Sequence, residues 1–452
     1  MQRIRFEHLC TEEGWVSPCY AEISDGRFVS LQPEPPTGWQ SDEAIAGFAL
    51  PALPNLHSHA FQRALVGRGE RRGPAGADSF WTWREAMYRL ACRVDPDDLE
   101  AIATFLYVEM LEAGYGAVGE FHYLHHRPDG RPYADAAEMS RRILAAAERT
   151  GIALTLLPVL YLRGGFDSEP SGPQLRFVHR DVDAYLRLVD ALAESGRARI
   201  GLAPHSLRAV HEAGLRAVVA AAQNRPLHIH IAEQVKEVEE CLTHCGARPV
   251  AWLLDRFSVG PNWCLVHATH MEADETRRVA ECGAVVGLCP TTEANLGDGI
   301  FPLLAYREAG GRFGIGSDSQ TAVSPAAELV LLEYGQRLVH RRRNLVAGPH
   351  PSVGRTLLGE AVRGGAQALG QPISFPRRGA AADLVVLDAS HPRLLGHDAQ
   401  SVLDAWIFGA AEGAVSQVMV GGRWVVREGR HPLAETARQA FERVMHRLWR
   451  EA

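Results

Sequence analysis

From residue 51 onward the chain repeats one pattern: a short apolar run, a polar stretch, then a longer segment rich in alanine, leucine and arginine. The apolar runs predict buried strands ending near His59, Tyr123, Tyr161, Leu207, Glu233, His270, Cys289 and Asp318, because a strand covered on both faces reads as a continuous apolar run. Between them, Ala136 to Arg149, Val182 to Ser195 and Leu215 to Asn224 carry helical patterns. Eight such strand-helix units in series predict a (β/α)8 TIM-like barrel. A doubly wound sheet is the alternative, but no Gly-x-Gly-x-x-Gly follows an early strand.

The flanks have a different texture. Residues 21–30 alternate around Asp25-Gly26, a hairpin turn signal, while Ala382 to Asp388 reads as a strand and Val418 to Gly429 as a hairpin. Two β segments on either side of a long middle predict one small β-sandwich domain built from both ends. Residues 1–50 and 373–452 then bracket a barrel over 51–372. In the last stretch Phe441, Val444, Met445, Leu448 and Trp449 fall on one helix face, which suits packing against the body of the protein.

Composition narrows the partners. Charged residues make up 22% and hydrophobic ones 46% of 452 residues, a globular balance, and the formal net charge of -7 argues against general nucleic-acid binding. Eight scattered cysteines without a Cys-x-x-Cys pair read as reduced thiols of a cytoplasmic protein. The first residues lack the apolar core of a signal peptide, and no run approaches the length of a membrane span. A small-molecule partner is expected, with neither nucleic acid nor membrane.

The candidate chemistry lies at the strand ends, where barrel active sites are built. Within Pro51 to Ala60, His57 and His59 stand two residues apart on a strand and share a face. In Leu227 to Gln234, His230 is nearer the mouth than His228, which reads as an interior histidine, and Glu233 lies just past the strand end. His267 offers itself at the sixth strand, with His270 ranked behind it, and Asp318 ends the apolar eighth strand, where a carboxylate costs free energy unless it binds something. His57, His59, His230 and Asp318 together supply three nitrogens and one carboxylate, a set that suits Zn²⁺ better than Mg²⁺. The chain's single lysine, Lys236, is not on the fourth strand, so no bridging lysine for a second metal is available there and one ion per chain follows.

The His-x-His, His-x-x-Glu, His and Asp pattern resembles the amidohydrolase superfamily, in its mononuclear deaminase branch. Within that branch Asn55 to Arg63, Ser79 to Tyr88, Pro204 to Val210 and Cys289 to Gly297 resemble the family of deiminases acting on N-formimino-L-glutamate, over nearly the whole chain. The resemblance implies hydrolysis to N-formyl-L-glutamate and ammonia in histidine breakdown, and a homodimer. It also implies that Gln62, Arg84, Tyr123, His205 and Arg208 contact the substrate. Two arginines suit two carboxylates, because guanidinium binds carboxylate through paired hydrogen bonds. Trp81 and Trp83 read as packing. For catalysis, a metal makes water nucleophilic at neutral pH, His267 and Asp318 are placed to accept its proton, and Glu233 is the candidate shuttle to the departing nitrogen. Two alternatives remain open at this point: an aromatic-ring deaminase of the same superfamily, and a non-catalytic barrel used for binding or assembly.

Overall fold

The computed structural model describes residues 1–70, 79–194 and 198–450. Its centre is a ring of parallel strands: Leu53–Ser58, Tyr115–His122, Ala153–Leu160, the short pair Arg199–Ile200 and Ala203–Pro204, Leu227–Ile231, Trp263–His267, Val285–Leu288 and Arg312–Ile315. The last strand pairs with the first. The fourth meets the fifth through a Leu202–Leu227 bridge and through hydrogen bonds from His228 N to Leu202 O and from His230 N to His205 O. The (β/α)8 expectation holds, and the strand ends fall close to those read from the apolar runs.

Three strand ends differ by three residues, and the eighth stops at Ile315 rather than Asp318. The fourth strand is interrupted at Gly201-Leu202, where Leu202 turns its pairing to the fifth strand, and it stops at Pro204 rather than Leu207. The sixth stops at His267 rather than His270, because His267 and Ala268 take left-handed φ values of 67° and 47° that no strand can continue. The predicted helices form as Glu138–Thr150, Val182–Ala193 and Glu212–Ala222, and Ser195 lies outside the described residues.

Helix Val353–Leu369 closes the end of the barrel opposite the site. Its final turn accepts hydrogen bonds from His228 Nε2 at Ala368 O (2.8 Å) and from Thr155 Oγ1 at Leu369 O (2.8 Å). Such an approach needs glycines: a Cβ on Gly364 would lie 1.8 Å from Phe313 O, and one on Gly365 would lie 2.4 Å from Pro54 Cγ.

Both chain ends meet in a second sheet. Its strand order is Arg423–Val426, Val415–Val420, Leu384–Leu387, Glu43–Pro51, Gln2–Cys10, Cys19–Ser24 and Arg27–Gln32, with Trp15–Val16 added to Gln2–Cys10. Asp25 and Gly26 make the two-residue turn with φ of 51° and 73°, as their pairing in sequence predicts. The sheet has its own core, including Ile4, Phe6, Phe28, Leu384 and Met419. The terminal helix Ala434–Trp449 packs on helix Pro96–Ala113, where Phe441 stacks on Phe105 at 4.5 Å.

Candidate active site

Backbone pairing at the end of the first and eighth strands brings the two halves of the ligand set together. Asp318 N donates to His57 O (3.0 Å) and His59 N donates to Asp318 O (3.1 Å), so the carboxylate and the His-x-His pair are locked in register. Below them, Asn55 and Ser317 exchange hydrogen bonds, Gln320 reaches Ser58, and Ser58 donates to Glu120 Oε2 (2.8 Å). Glu120 also accepts from Ala60 N and Tyr107 OH, and this buried carboxylate fixes the turn that presents His59. Ala232, His267, Ala268 and Asp318 all have left-handed φ, between 46° and 67°, at the ends of strands five, six and eight. Such strain in non-glycine residues collects at functional sites.

The donor atoms converge. His57 Nε2 lies 3.2 Å from His59 Nε2 and 3.0 Å from His230 Nε2, and Asp318 Oδ1 lies 3.3 Å from His59 Nε2. His59 Nδ1 donates to Phe121 O (2.8 Å) and His230 Nδ1 to His205 O (3.1 Å), which leaves the Nε2 lone pairs of both rings facing inward. Burial, with His267 and other ring neighbours adding to it, holds His57 and His230 well below the ordinary histidine range and His59 at about 3, so all three rings are neutral. Lone pairs of neutral rings at 3.0–3.2 Å repel unless a cation lies among them, and a nearby carboxylate adds the matching charge. The residues present fit a divalent metal.

His267, Cys289 and Asp318 form a second trio of close donor atoms. Burial first, then the neighbouring Asp318 and Glu293 carboxylates, raise the Cys289 thiol well above its ordinary range. A metal needs the thiolate, so this trio is the weaker cradle. His267 is instead held by carboxylates: Nδ1 lies 3.2 Å from Glu293 Oε1, and Nε2 lies 3.7 Å from Asp318 Oδ2 and 3.8 Å from Glu233 Oε1. Burial raises the Glu233 carboxyl, with His267 opposing. A carboxyl whose proton is held more tightly than usual suits a shuttle.

A cavity opens above this centre, and its wall includes Gln62, Arg84, Tyr123, His205 and Arg208 along with His59, His230, Glu233, His267 and Asp318. His57 lies beneath, and His228 is held at the far end of the barrel by Ala368 O. His270 is not part of the wall. Gln62 Nε2 donates to Tyr123 OH (2.7 Å). Among the described residues neither Arg84 nor Arg208 forms an ion pair within hydrogen-bonding reach; the buried Glu237 and Glu233 carboxyls act on Arg208 from further off, and Arg208 Nε, in a buried side chain, has no acceptor. Trp81 does more than pack: Arg84, Arg208 and Lys236 all lie against its ring.

Sequence reasoning assigned no role to Glu293, Cys289, Glu120 or Tyr161. Glu293 and Cys289 stand inside the Cys289 to Gly297 motif, whose spacing carries no sign of the His267 contact. Glu120 follows a glycine on an apolar strand, and a carboxylate in such a run is a signal that could have been followed.

Comparison with known proteins gives a consistent picture. Residues 48–425 match the model of the amidohydrolase family. The chain is 49% identical to a formimidoylglutamate deiminase of Pseudomonas aeruginosa over 99% of this chain and 100% of that protein. It is 30% identical to an 8-oxoguanine deaminase of the same organism over 90% of this chain and 89% of that one. Among solved structures, an amidohydrolase from Brucella melitensis superposes with a TM-score of 0.94 at 45% identity, covering 99% of this chain and 100% of the other.

Proposed function

The chain belongs to the amidohydrolase family, and on that premise we propose that it is a zinc-dependent deiminase that hydrolyses N-formimino-L-glutamate to N-formyl-L-glutamate and ammonia, a step of histidine breakdown. The observation that carries the reading is a pair of arginines, Arg84 and Arg208, that form no ion pair among the described residues and line a cavity together with His59, His230, His267 and Asp318. Extended similarity to a deiminase of that substrate supports it.

One Zn²⁺ per chain would be held by His57, His59, His230 and Asp318, and its contribution is to make water nucleophilic near neutral pH. The remaining work falls to the protein. Arg84 and Arg208 take the two carboxylates, which fixes the distance from each to the formimino carbon, while Gln62, Tyr123 and His205 line the path between. His267, braced by Glu293, and Asp318 orient the attacking water and receive its proton. Addition gives a tetrahedral carbon bearing hydroxyl and amino groups; the proton taken from the water on attack and the one released from the hydroxyl as the carbonyl forms both reach the departing nitrogen, with Glu233 as the donor, so that the C–N bond breaks and ammonia leaves. Among the described residues no helix is long and apolar enough to cross a membrane. All eight cysteines are free, which supports a cytoplasmic setting. The exposed apolar side chains Ile300, Leu338 and Val339 support a homodimer, to be read by sedimentation.

A ring deaminase is the second reading, favoured by Tyr88, Tyr161 and Phe177 in the cavity wall and by the similarity to an 8-oxoguanine deaminase. Ammonia release from N-formimino-L-glutamate and from guanine separates the two. Faster turnover of guanine would overturn the deiminase reading.

A further inference from the structure

Three cations meet on one indole. The Trp81 ring centre lies 4.4 Å from Arg84 Cζ, 4.6 Å from Lys236 Nζ and 5.5 Å from Arg208 Cζ. The two arginines line the cavity and Lys236 does not; its side chain is 56% exposed, at the start of helix Val235–Cys245. This is the only lysine in a chain with 47 basic residues. Its carboxylate partner, Glu240, is 3.6 Å away on the next turn and itself solvated, a pairing that water and salt screen heavily.

An indole face attracts a cation through its quadrupole, and the buried Glu237 and Glu233 carboxyls act on Arg208, but neither removes the repulsion between Arg84 and the exposed Lys236. An anion does. The protein as a whole carries a formal charge of -7, so this cationic rim is a local feature against an acidic background. We propose that Lys236, seated on Trp81, is an outer anion contact that captures the dicarboxylate at the rim before Arg84 and Arg208 draw its two carboxylates inward. This rests on the dicarboxylate reading above. Lys236 is then a specificity residue that acts on capture, with no part in the bond-breaking step.

The metal-loaded enzyme supplies the test. Wild type, Lys236→Met and Lys236→Arg are compared on N-formimino-L-glutamate between about 0.01 and about 0.15 M ionic strength, over which the screening length falls from about 30 to about 8 Å. Lys236→Met should keep kcat, zinc content and melting temperature, lose about tenfold in kcat/KM at low salt, and show a flatter salt dependence. Lys236→Arg should restore both. A second readout needs no turnover. An amine-directed acylating reagent can mark only Lys236 and the N-terminus, and peptide mass spectrometry follows the Lys236 adduct. Glutarate should slow its formation, and the neutral glutaramide should not. Wild-type kcat/KM and salt dependence in Lys236→Met, loss of kcat in that variant, or labelling indifferent to glutarate would each overturn the proposal. Glutarate protection in an enzyme that does not turn over N-formimino-L-glutamate would leave the anion site standing and remove the proposed reaction.

Discussion

Glu233 is buried beside His267 and outside the inward-facing set of His57, His59, His230 and Asp318, a position that suits proton transfer better than ligation. Replacing it by glutamine keeps the shape and removes the exchangeable proton, so kcat should fall by about 10²- to 10⁴-fold while metal content is unchanged. A loss under tenfold with metal intact would move the shuttle to another residue. At this scale the sequence was informative where chemistry sits on strand periodicity: His57 and His59 share a face by their spacing, and Asp318 is conspicuous at the end of an apolar run. It was silent where a partner comes from a distant segment. Glu293 reaches His267 across 26 positions and Glu120 reaches Ser58 across 62, and neither contact leaves a mark in local pattern. The cations on Trp81 are hidden for the same reason, since Arg208 comes from the turn after the fourth strand and Lys236 from the start of the helix after the fifth.

Among the elements, helix Phe80–Ala91 carries Arg84, and the turn after the fourth strand carries Arg208, so the proposed clamp has one jaw on each. Removing either guanidinium leaves a substrate carboxylate desolvated and unpaired, and Arg84→Met or Arg208→Met should lower kcat/KM on N-formimino-L-glutamate by about 2–5 kcal/mol in transition-state free energy. Formiminoaspartate, one methylene shorter, should be a poorer substrate for wild type, because the spacing of the jaws is fixed. Wild-type kcat/KM in both variants would refute the clamp. Helix Val353–Leu369 makes a separate demand. Gly364→Ala would force a methyl against Phe313 O, and the helix that closes the barrel would have to move, at a cost of about 3 kcal/mol. Denaturant unfolding should show that loss. The strand-helix alternation was legible because buried parallel strands are continuously apolar. The exact strand ends were not, because they depend on left-handed turns at Ala232, His267 and Asp318 that no residue type at those positions announces.

For the whole molecule, the proposed metal set joins distant parts of the ring: the first strand and the residue after it give His57 and His59, the fifth gives His230, and Asp318 follows the eighth. A cation bound there holds those strand ends to one another, and its removal leaves inward-facing lone pairs 3.0–3.2 Å apart. Anything that binds the native state alone stabilises it by RT ln(1 + [L]/Kd), about 2.7 kcal/mol at a hundredfold excess over Kd. Chelation should therefore abolish ammonia release and lower the melting temperature, and added Zn²⁺ should restore both. The His57→Ala/His230→Ala double variant separates this linkage from a general effect of the chelator. It should contain no tightly held metal, start from a lower melting temperature, and show no further change on chelation. If wild type keeps its melting temperature and activity after exhaustive dialysis against chelator, or if the double variant binds metal as wild type does, the four residues do not form the metal site and the mechanism built on them fails with it.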